Sequence, residues 1–291
     1  MKKRFKKIYI EITNVCNLNC DFCPKTKRKL GFMSLDLFER ALLESKPLAE
    51  EITLHLMGEP LLHPKINEII KLAEQNDIRI NLTTNATLTK KHSQLLLNKT
   101  IRRINFSVHS LKSNYSEEDQ EKYLLEVIDF TKLARIERDD LVIIYRLWNI
   151  ENSSNKKILN VIEREFDIVF NKSKKLEVSN TISTKIKGNA YINYDTSFDW
   201  PDPKKEIRNE TGYCHGLSTH IGILVDGTVV PCCLDNNGNI PLGNILDLSI
   251  EEILKLPRAK NMLNGFRNRK IVEDMCKKCT YLERLNRNKK K

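Results

Sequence analysis

The sequence has no long run of apolar residues, and this absence excludes one class of protein. No stretch of the 291-residue chain approaches the roughly 18 apolar residues that a membrane-spanning helix needs. The basic start, residues 1–7, is followed only by a short apolar segment, residues 8–12, which Glu11 interrupts. A secretory signal requires a longer apolar region. We therefore expect a cytoplasmic protein with no membrane partner.

Aromatic residues are also scarce, at 7% of the chain, and no basic stripe with interleaved aromatics occurs. Stacking of bases on aromatic side chains is a common basis of nucleic-acid binding. The net charge is +11, from 49 Lys and Arg against 38 Asp and Glu, with basic residues dense at both ends. Such ends are usually solvated, but they also attract phosphate, anionic sugars or acidic peptides. The composition does not favour nucleic acid as the partner.

A third scarcity is local, because residues 24–213 contain no cysteine although the chain has eight. The cytoplasm keeps cysteines reduced, which favours metal ligands or reactive thiols over disulfides. Three cysteines precede this gap and five follow it, which predicts two sites on two structural units. They are Cys16, Cys20 and Cys23, then Cys214, Cys232, Cys233, Cys276 and Cys279. We predict domains over residues 1–190 and 211–291, joined by a linker over residues 191–210.

The first three cysteines form a compact motif directly after a short apolar strand, Cys16-Asn17-Leu18-Asn19-Cys20-Asp21-Phe22-Cys23. Thiolates at this spacing can ligate three irons of a [4Fe-4S] cubane and leave the fourth open to a small chelating ligand. A zinc knuckle is the alternative that the spacing alone leaves open. The motif therefore indicates a reactive metal site more than a structural one.

This CxxxCxxC motif, with an aromatic residue just before its third cysteine, resembles the signature of the radical S-adenosylmethionine (SAM) enzymes. The resemblance implies that the amino and carboxylate groups of SAM chelate the open iron. An electron from the cluster then cleaves the sulfonium, and the 5′-deoxyadenosyl radical takes a hydrogen atom from an unactivated C–H bond. The resemblance also implies an electron donor such as flavodoxin or ferredoxin, and it places Phe22 beside the adenine.

Strand and helix signals alternate through the first unit. Strands are predicted over residues 7–13, 51–56, 78–83, 103–109, 141–148 and 168–170, and helices over 33–44, 65–75, 90–97, 117–136 and 155–166. Six β/α units in series imply a parallel sheet with helices outside, which right-handed crossovers curl into an open barrel. The resemblance implies the same α/β architecture, a partial (β/α)6 TIM-like barrel followed by a small cysteine-rich domain.

In parallel α/β sheets, functional residues gather on loops after the C-terminal ends of strands. Met57-Gly58-Glu59-Pro60 follows the second strand and resembles the family's GGE-type motif, with Met57 in place of the first glycine. The resemblance assigns Glu59 to the SAM amine, while Gly58 permits close backbone approach. Alone, the tetrapeptide would be a turn that caps the next helix. The remaining predicted SAM contacts are Asn85, Ser107 and Arg146, whose guanidinium can fork onto the SAM carboxylate. Turn chemistry for Asn85 and a surface salt bridge for Arg146 are the alternatives.

The second unit contains a C-x12-G-x4-C spacing from Cys214 through Gly227 to Cys232. Asp226-Gly227, flanked by β-branched residues, predicts a hairpin turn that brings the two cysteines together. Cys276-x2-Cys279 supplies a second pair, so four thiolates can enclose one zinc ion or one fully ligated [4Fe-4S] cluster. The unit resembles the SPASM and twitch domains of radical SAM enzymes, but it lacks the further cysteines of the full SPASM form. The resemblance implies one auxiliary [4Fe-4S] cluster on Cys214, Cys232, Cys276 and Cys279.

Cys233 is left over from that ligand set. Because neighbouring side chains of a strand point to opposite faces, Cys232 and Cys233 are not expected to face the same cluster. Cys233 can be an alternative ligand, a buried inert residue or a hydrogen-atom donor to a substrate radical. The last role occurs in some twitch-type epimerases that this architecture resembles, and it makes Cys233 the candidate catalytic residue.

Together these features predict a radical SAM enzyme of oxidoreductase or epimerase type, acting on a small, carbohydrate-like molecule or a ribosomal peptide. The reaction would lead to oxidation, epimerisation or crosslinking. The chain starts about seven residues before its first strand, which leaves no room for a fused leader-peptide module and favours a small substrate or a separately delivered peptide. Two alternatives stay open: a radical SAM enzyme acting on RNA, and a non-catalytic zinc-binding protein.

Overall fold

The structure is a computed structural model of the chain that describes residues 3–111, 113–148, 153–170, 176–178, 181–195, 199–282 and 285. Within these ranges the strands are β1 (Phe5–Ile10), β2 (Ala49–Thr53), β3 (Arg79–Thr84), β4 (Ile101–Phe106), β5 (Val142–Trp148), β6 (Leu176–Val178), β7 (Thr181–Lys187), β8 (Ala190–Asp195), β9 (His220–Ile223), β10 (Thr228–Val230) and β11 (Gly243–Asn244). The α-helices are α1 (Leu35–Ser45), α2 (Ile66–Gln75), α3 (Ser93–Leu96), α4 (Glu117–Glu137), α5 (Ser153–Phe166), α6 (Ile250–Ile253), α7 (Pro257–Arg267) and α8 (Asp274–Lys277). None of these helices is long and apolar enough to cross a membrane.

All of these strands form one sheet, in the order β11-β10-β9-β1-β2-β3-β4-β5-β8-β7-β6. Seven adjacent strands, in the order β9-β1-β2-β3-β4-β5-β8, are parallel to one another. Antiparallel strands extend both edges. Since the described strands follow a linear order, the sheet is not a closed barrel. The predicted α/β class, a partial barrel with a cysteine-rich C-terminal part, is confirmed.

The two faces of the sheet differ in chemistry because side chains alternate along each strand. On β1, Ile8 and Ile10 are fully buried in the core shared with the helices, whereas Tyr9 between them is half-buried. On β5, the buried Tyr145 hydroxyl lies 2.6 Å from Thr131 Oγ1 of α4, within hydrogen-bonding distance. Arg146, the next residue of β5, therefore points to the opposite face of the sheet, which is the concave face. The helix side supplies the apolar core and leaves the concave side for polar residues.

The sixth parallel strand does not lie where the sequence predicts it. Residues 168–170 form no strand. Asp167 has a φ of 52° after α5, and the Phe170 amide donates a hydrogen bond of 2.6 Å to Glu163 Oε1, which folds this segment back onto the helix. The sixth strand is β8, which pairs with β5. A short apolar run does not by itself distinguish a strand from a segment packed at a helix end.

The predicted hairpin around Asp226-Gly227 is confirmed, since β9 and β10 pair antiparallel with Val229 opposite Ile223. Gly227 has a φ of 87°, as a tight turn requires. However, β9 also pairs in parallel with β1, so the cysteine-rich part continues the main sheet. Strand β8 occupies the start of the stretch predicted as a linker. The division into domains over residues 1–190 and 211–291 stays a prediction.

Candidate active site

A loop of residues 14–32 carries the first three cysteines between β1 and α1. Its base is closed by hydrogen bonds: the Thr13 hydroxyl donates to Gly31 O at 2.8 Å, and the Gly31 amide donates to Asn14 Oδ1 at 2.8 Å. The Asn14 amide group donates to Lys29 O at 3.0 Å. A loop with a closed base keeps a defined shape. The three thiols are therefore presented together at the C-terminal end of β1, where functional residues of parallel sheets gather.

The three thiols of this loop are free, and side-chain amides approach two of them. Asn85 Nδ2 donates to Cys16 Sγ at 3.7 Å, and Asn114 Nδ2 donates to Cys20 Sγ at 3.4 Å. Burial raises the pKa of the Cys16 thiol and raises the pKa of Cys20 to about 11, so as free thiols they are protonated at neutral pH. N–H donors aimed at sulfur stabilise metal-bound thiolates. The surroundings of both sulfurs fit an iron-sulfur ligand.

The turn at Gly58 packs against the base of the cysteine loop. Gly58 has a φ of 74°, and a Cβ there would lie 2.5 Å from Thr13 O and 2.8 Å from Val15 O. Only glycine fits such a contact. The Glu59 amide donates to Val15 O at 2.8 Å. The backbone that Gly58 approaches is therefore that of the cysteine loop itself, which couples the two predicted cofactor-binding segments.

The Glu59 carboxylate is buried and accepts three hydrogen bonds. Its donors are the Leu61 amide at 3.0 Å, the Thr84 hydroxyl at 2.8 Å and the Asn85 amide at 2.6 Å. Burial raises the pKa of Glu59 to about 7. Glu59 caps the short 3-10 helix of Pro60–Leu62 and not the helix Ile66–Gln75 that the turn interpretation expected it to cap. It also lines a cavity. No described basic side chain forms a salt bridge with it, so a cationic ligand group would suit this carboxylate.

A cavity of about 520 Å³ lies at the C-terminal ends of the parallel strands. This volume falls within the range of small-molecule sites. The cavity brings together the whole first cysteine set and every predicted SAM contact. Its lining includes Cys16, Cys20, Cys23, Phe22, Gly58, Glu59, Asn85, Ser107 and Arg146.

Two of these predicted contacts also have structural roles. Asn85 Nδ2 donates to Asn17 Oδ1 at 2.8 Å, and Asn85 Oδ1 accepts from the Thr87 hydroxyl at 2.8 Å, so Asn85 ties the loop after β3 to the cysteine loop. The Ser107 carbonyl accepts from the Ser110 hydroxyl at 2.6 Å. The assignments of Asn85 and Ser107 to SAM stay predictions.

A row of rings that the sequence analysis missed continues from Phe22 along the concave face. The ring centroids of Phe22 and His109 are 5.0 Å apart, and His109 stacks on Trp148 at 5.3 Å with an angle of 10°. The Arg146 guanidinium carbon lies 5.7 Å from the Trp148 ring centroid. His109 and Trp148 also line the cavity. Because side chains alternate between the two faces of a strand, Trp148 lies on the same face of β5 as Arg146. This alternation could have indicated from the sequence that Trp148 lies near the site.

The second cysteine set comes from three separate segments. Cys214 precedes β9, Cys232 follows β10, and Cys276 and Cys279 lie in and just after α8. Cys214, Cys276 and Cys279 all lie within electrostatic range of Cys232, and burial raises the pKa of Cys214 to about 11. A Cβ on Gly216 would lie 3.6 Å from both Cys214 Sγ and Cys232 Cβ. This enclosed set fits a fully ligated metal centre better than an open one.

In neither set do three described His, Cys, Asp or Glu side chains already converge to metal-binding distance. Ligation would therefore require thiol rotations, which a side chain with one free torsion to its sulfur permits.

Cys233 has different neighbours from Cys232. Tyr9 and Cys233 pack against the same small apolar cluster, and Lys7 and Arg146 lie within electrostatic range of the Cys233 sulfur. Tyr9, Lys7 and Arg146 belong to strands whose polar side chains occupy the concave face. Cys233 thus lies near polar residues of the concave side, and it also lies within electrostatic range of Cys214 and Cys232.

A buried ion pair that the sequence analysis missed connects the two cysteine regions. Arg28 Nη2 lies 2.7 Å from both carboxylate oxygens of Glu11, which is fully buried. Arg28 Nε also donates to Asn236 O at 2.9 Å, shortly after Cys233 in the chain. The Lys27 amide donates to Asn237 Oδ1 at 2.8 Å. The cysteine loop is thus clamped to the turn that follows Cys232 and Cys233.

Comparison with known proteins adds family information to this geometry. The family model of the radical SAM superfamily matches residues 10–164, and the SPASM model, an iron-sulfur cluster-binding domain, matches residues 214–280. A curated relative, GTP 3',8-cyclase of Sulfurimonas denitrificans, is 24% identical over 297 residues, covering 88% of this chain and 91% of the relative.

Two solved structures share the fold. BtrN, in complex with AdoMet and 2-DOIA, has a TM-score of 0.60 at 19% identity, covering 96% of this chain and 94% of BtrN. Streptococcus suis SuiB, bound to the precursor peptide SuiA, has a TM-score of 0.60 at 18% identity, covering 96% of this chain and 71% of SuiB. At these identities the likeness shows the fold alone.

Proposed function

The chain belongs to the radical SAM superfamily, and we propose that it cleaves SAM reductively and abstracts a hydrogen atom from a small molecule or a peptide. The family implies SAM and a [4Fe-4S] cluster, and the SPASM domain implies a further iron-sulfur cluster. We assign the first cluster to Cys16, Cys20 and Cys23. We assign one auxiliary [4Fe-4S] cluster to Cys214, Cys232, Cys276 and Cys279.

One observation supports this proposal most: three thiols of a single loop and the buried carboxylate of Glu59 line the same cavity. Three protein thiolates leave one iron of a cubane for a chelating ligand. When bound, the cluster would supply the electron that breaks the C–S bond of the SAM sulfonium, and the deoxyadenosyl group so released would take the substrate hydrogen atom. Glu59 would accept a hydrogen bond from the SAM amino group at this iron, and Arg146 would fork onto the SAM carboxylate.

Other residues of the cavity would orient SAM and exclude water. Phe22, packed on His109, would lie beside the adenine. Asn85 would hold both Glu59 and Cys16, because its amide donates to the former and its side chain to the latter. A site closed by stacked rings protects a reactive intermediate from solvent.

The space around this cavity supports a small-molecule or peptide substrate. A larger opening of about 880 Å³ shares Phe22, Cys23 and Trp200 with the cavity, so substrate has room beside SAM. The similar proteins are named for GTP or are bound to 2-DOIA or a precursor peptide. Oxidation, epimerisation and crosslinking remain the candidate outcomes. In the cytoplasm, where we expect the protein, a flavodoxin or ferredoxin would supply the electrons.

For epimerisation, the Cys233 thiol would return a hydrogen atom to the substrate radical, and an electron from the flavodoxin or ferredoxin together with a proton would restore the thiol. Packing beside Tyr9 would place the Cys233 sulfur near the concave face. Cys233→Ala should then keep the iron content and SAM cleavage but lose the epimerised product. Full product yield from this variant would remove Cys233 from the mechanism.

The direct test is anaerobic reconstitution with iron and sulfide, reduction with dithionite, and quantification of 5′-deoxyadenosine formed from SAM. Candidate acceptors would include GTP, 2-DOIA and short peptides, with unreduced protein as the control. We expect reduction-dependent 5′-deoxyadenosine, and its absence under all conditions would contradict the proposal. Protein that retains zinc and takes up no iron would instead support the non-catalytic zinc-binding alternative.

A further inference from the structure

The concave face of the sheet carries a second group of polar side chains next to the SAM cavity, which we call the inner basic cluster. They come from β1, β5, β9 and the segments that follow β2 and β10. The members are Lys7, Tyr9, His55, Arg146, His220 and Cys233.

Ring contacts hold the cluster together around Tyr9. The Tyr9 ring lies edge-on to His55 at 6.0 Å and to His220 at 5.7 Å between centroids. Lys7 Nζ lies 5.1 Å from the Tyr9 ring centroid. The cluster reaches the SAM cavity directly, because His55 and Arg146 belong to both. A group bound in the cluster would therefore lie next to the space assigned to SAM.

The cluster has an excess of positive charge. Neither Lys7 nor Arg146 forms a salt bridge in the part of the chain that the structure describes. Glu51 and Asp195 lie within electrostatic range of Lys7 and Arg146, respectively, and Arg103 adds positive charge near both. Two cations that share a half-buried face repel each other unless an anion lies between them.

The neutral members add hydrogen-bonding capacity without adding negative charge. Burial, together with Arg146 and Lys7, lowers the pKa of His55 to about 3, so His55 is neutral at physiological pH. Its buried Nδ1 has no hydrogen-bond partner among the described residues. A neutral imidazole nitrogen that carries its proton is a donor. This unpartnered nitrogen is what an acceptor oxygen of a ligand would satisfy.

We infer that the substrate carries an oxyanion group, a phosphate or a carboxylate, which binds beside Lys7 with His55 Nδ1 as a further donor. Arg146, whose guanidinium has five N–H donors, would serve both this group and the SAM carboxylate. This inference rests on the proposed function, because it concerns the substrate of the same cavity. The remainder of the substrate would extend from this anchor toward the cysteine loop. Charge-assisted hydrogen bonds to such a group are the strong ones, and they would fix the position of the reacting carbon.

The test measures thermal unfolding of the reconstituted protein saturated with SAM, so that the SAM site is filled. Inorganic phosphate and acetate serve as probes of the two oxyanions, and sodium chloride keeps the ionic strength constant. We expect one or both anions to raise Tm by about 2–4 °C, which corresponds to binding of roughly 1 kcal/mol in a chain of this size. The anion with the larger effect identifies the phosphate or the carboxylate.

Three variants separate this site from general anion binding by a basic protein. Lys7→Met should abolish the rise in Tm, and Lys7→Arg, which keeps the charge, should retain it. Lys6→Met is the matched control, because Lys6 is exposed on the opposite face of β1 and should respond like the native chain. If Lys7→Met does not fold, His55→Phe, which keeps a ring and removes Nδ1, should reduce the rise.

An equal rise in native protein and Lys7→Met, or no rise with either anion, would overturn the inference. SAM cleavage in the same samples reports separately on the proposed function. Cleavage without a Lys7-dependent rise overturns the anion site alone. A Lys7-dependent rise supports the anion site whether or not SAM is cleaved.

Discussion

The two cysteine regions of this chain reach their sites in opposite ways. Cys16, Cys20 and Cys23 lie on one short loop that lines a cavity. The C-terminal four come from three segments, beside β9, β10 and α8, that are separated in the chain but lie within electrostatic range of Cys232 in the fold. A three-thiol loop at a cavity leaves a metal accessible to a ligand, whereas four thiols from converging segments enclose it. On this comparison we propose a reactive site at the first set and an enclosed one at the second.

The largest expected difference concerns SAM cleavage. Changing both Cys16 and Cys20 to Ser should remove the first cluster and reduce 5′-deoxyadenosine to background, because no iron remains to hold SAM. Changing both Cys276 and Cys279 to Ser should lower the iron content by a similar amount and leave SAM cleavage in place. Iron content and 5′-deoxyadenosine are measured for both proteins. Loss of cleavage in the C-terminal variant, with the first cluster intact, would contradict the distinction.

The next largest effect concerns the clamp between the two regions. Arg28→Met leaves the fully buried Glu11 without its partner, and we expect a loss of about 3–5 kcal/mol in the free energy of unfolding. Urea denaturation measures this loss. Arg164→Met is the control, because its pair with Glu121 is exposed and its loss should matter little. Combining Arg28→Met with Glu11→Gln should recover part of the stability, and equal effects of Arg28→Met and Arg164→Met would show that the clamp is unimportant.

A smaller effect tests how tightly the cysteine loop is held at its base. Gly58→Ala forces a Cβ to within 2.5 Å of Thr13 O at a positive φ, and should cost about 2 kcal/mol or more of unfolding free energy. Gly31→Ala, in the same loop, meets no atom within 4 Å and should leave stability unchanged or slightly raised. Thermal unfolding of both variants measures the two changes in stability. Equal losses would mean that the loop base tolerates displacement.

The smallest expected effect concerns Glu59 and pH. Burial raises its pKa to about 7, above the ordinary value of 4.5, so the carboxylate becomes charged as pH rises through 7. If Glu59 binds the SAM amine, SAM affinity should rise up to about tenfold, or about 1.4 kcal/mol, between pH 6 and pH 8. Equilibrium binding measures this change. Glu59→Gln should bind SAM more weakly at pH 8 and lose the pH dependence, and an unchanged profile would remove the assignment.

The same raised pKa has a consequence for stability with the opposite sign. Between about pH 4.5 and pH 7 the folded protein keeps the Glu59 proton that the unfolded chain releases. The contribution of Glu59 to the free energy of unfolding therefore falls as pH rises through this range. Comparison of native protein with Glu59→Gln isolates this contribution.

Much of the fold was predictable because it depends on contacts between near neighbours. Helix α1 overlaps most of the predicted range 33–44 and begins behind Ser34, whose hydroxyl accepts from the Leu37 amide at 3.2 Å, a capping contact that Ser favours. The hairpin at Asp226-Gly227 likewise follows from turn chemistry. The prediction of the sixth strand at residues 168–170 was wrong, because a hydrogen bond to Glu163 holds the segment after Asp167 and no described neighbouring strand does. The strand that pairs in parallel with β5 is β8, which lies further along the chain.

The sequence by itself determined the chemistry of this protein: cysteine spacing, strand and helix alternation, and the glycine turn are local patterns that can be read from consecutive residues. Only the tertiary structure decided how these parts meet. The Arg28–Glu11 clamp on the turn at Asn236, the pairing of β9 with β1, and the gathering of Lys7, His55 and Arg146 join segments far apart in the chain. Such contacts depend on sheet order and curvature, and no short sequence pattern encodes which distant side chains share a face.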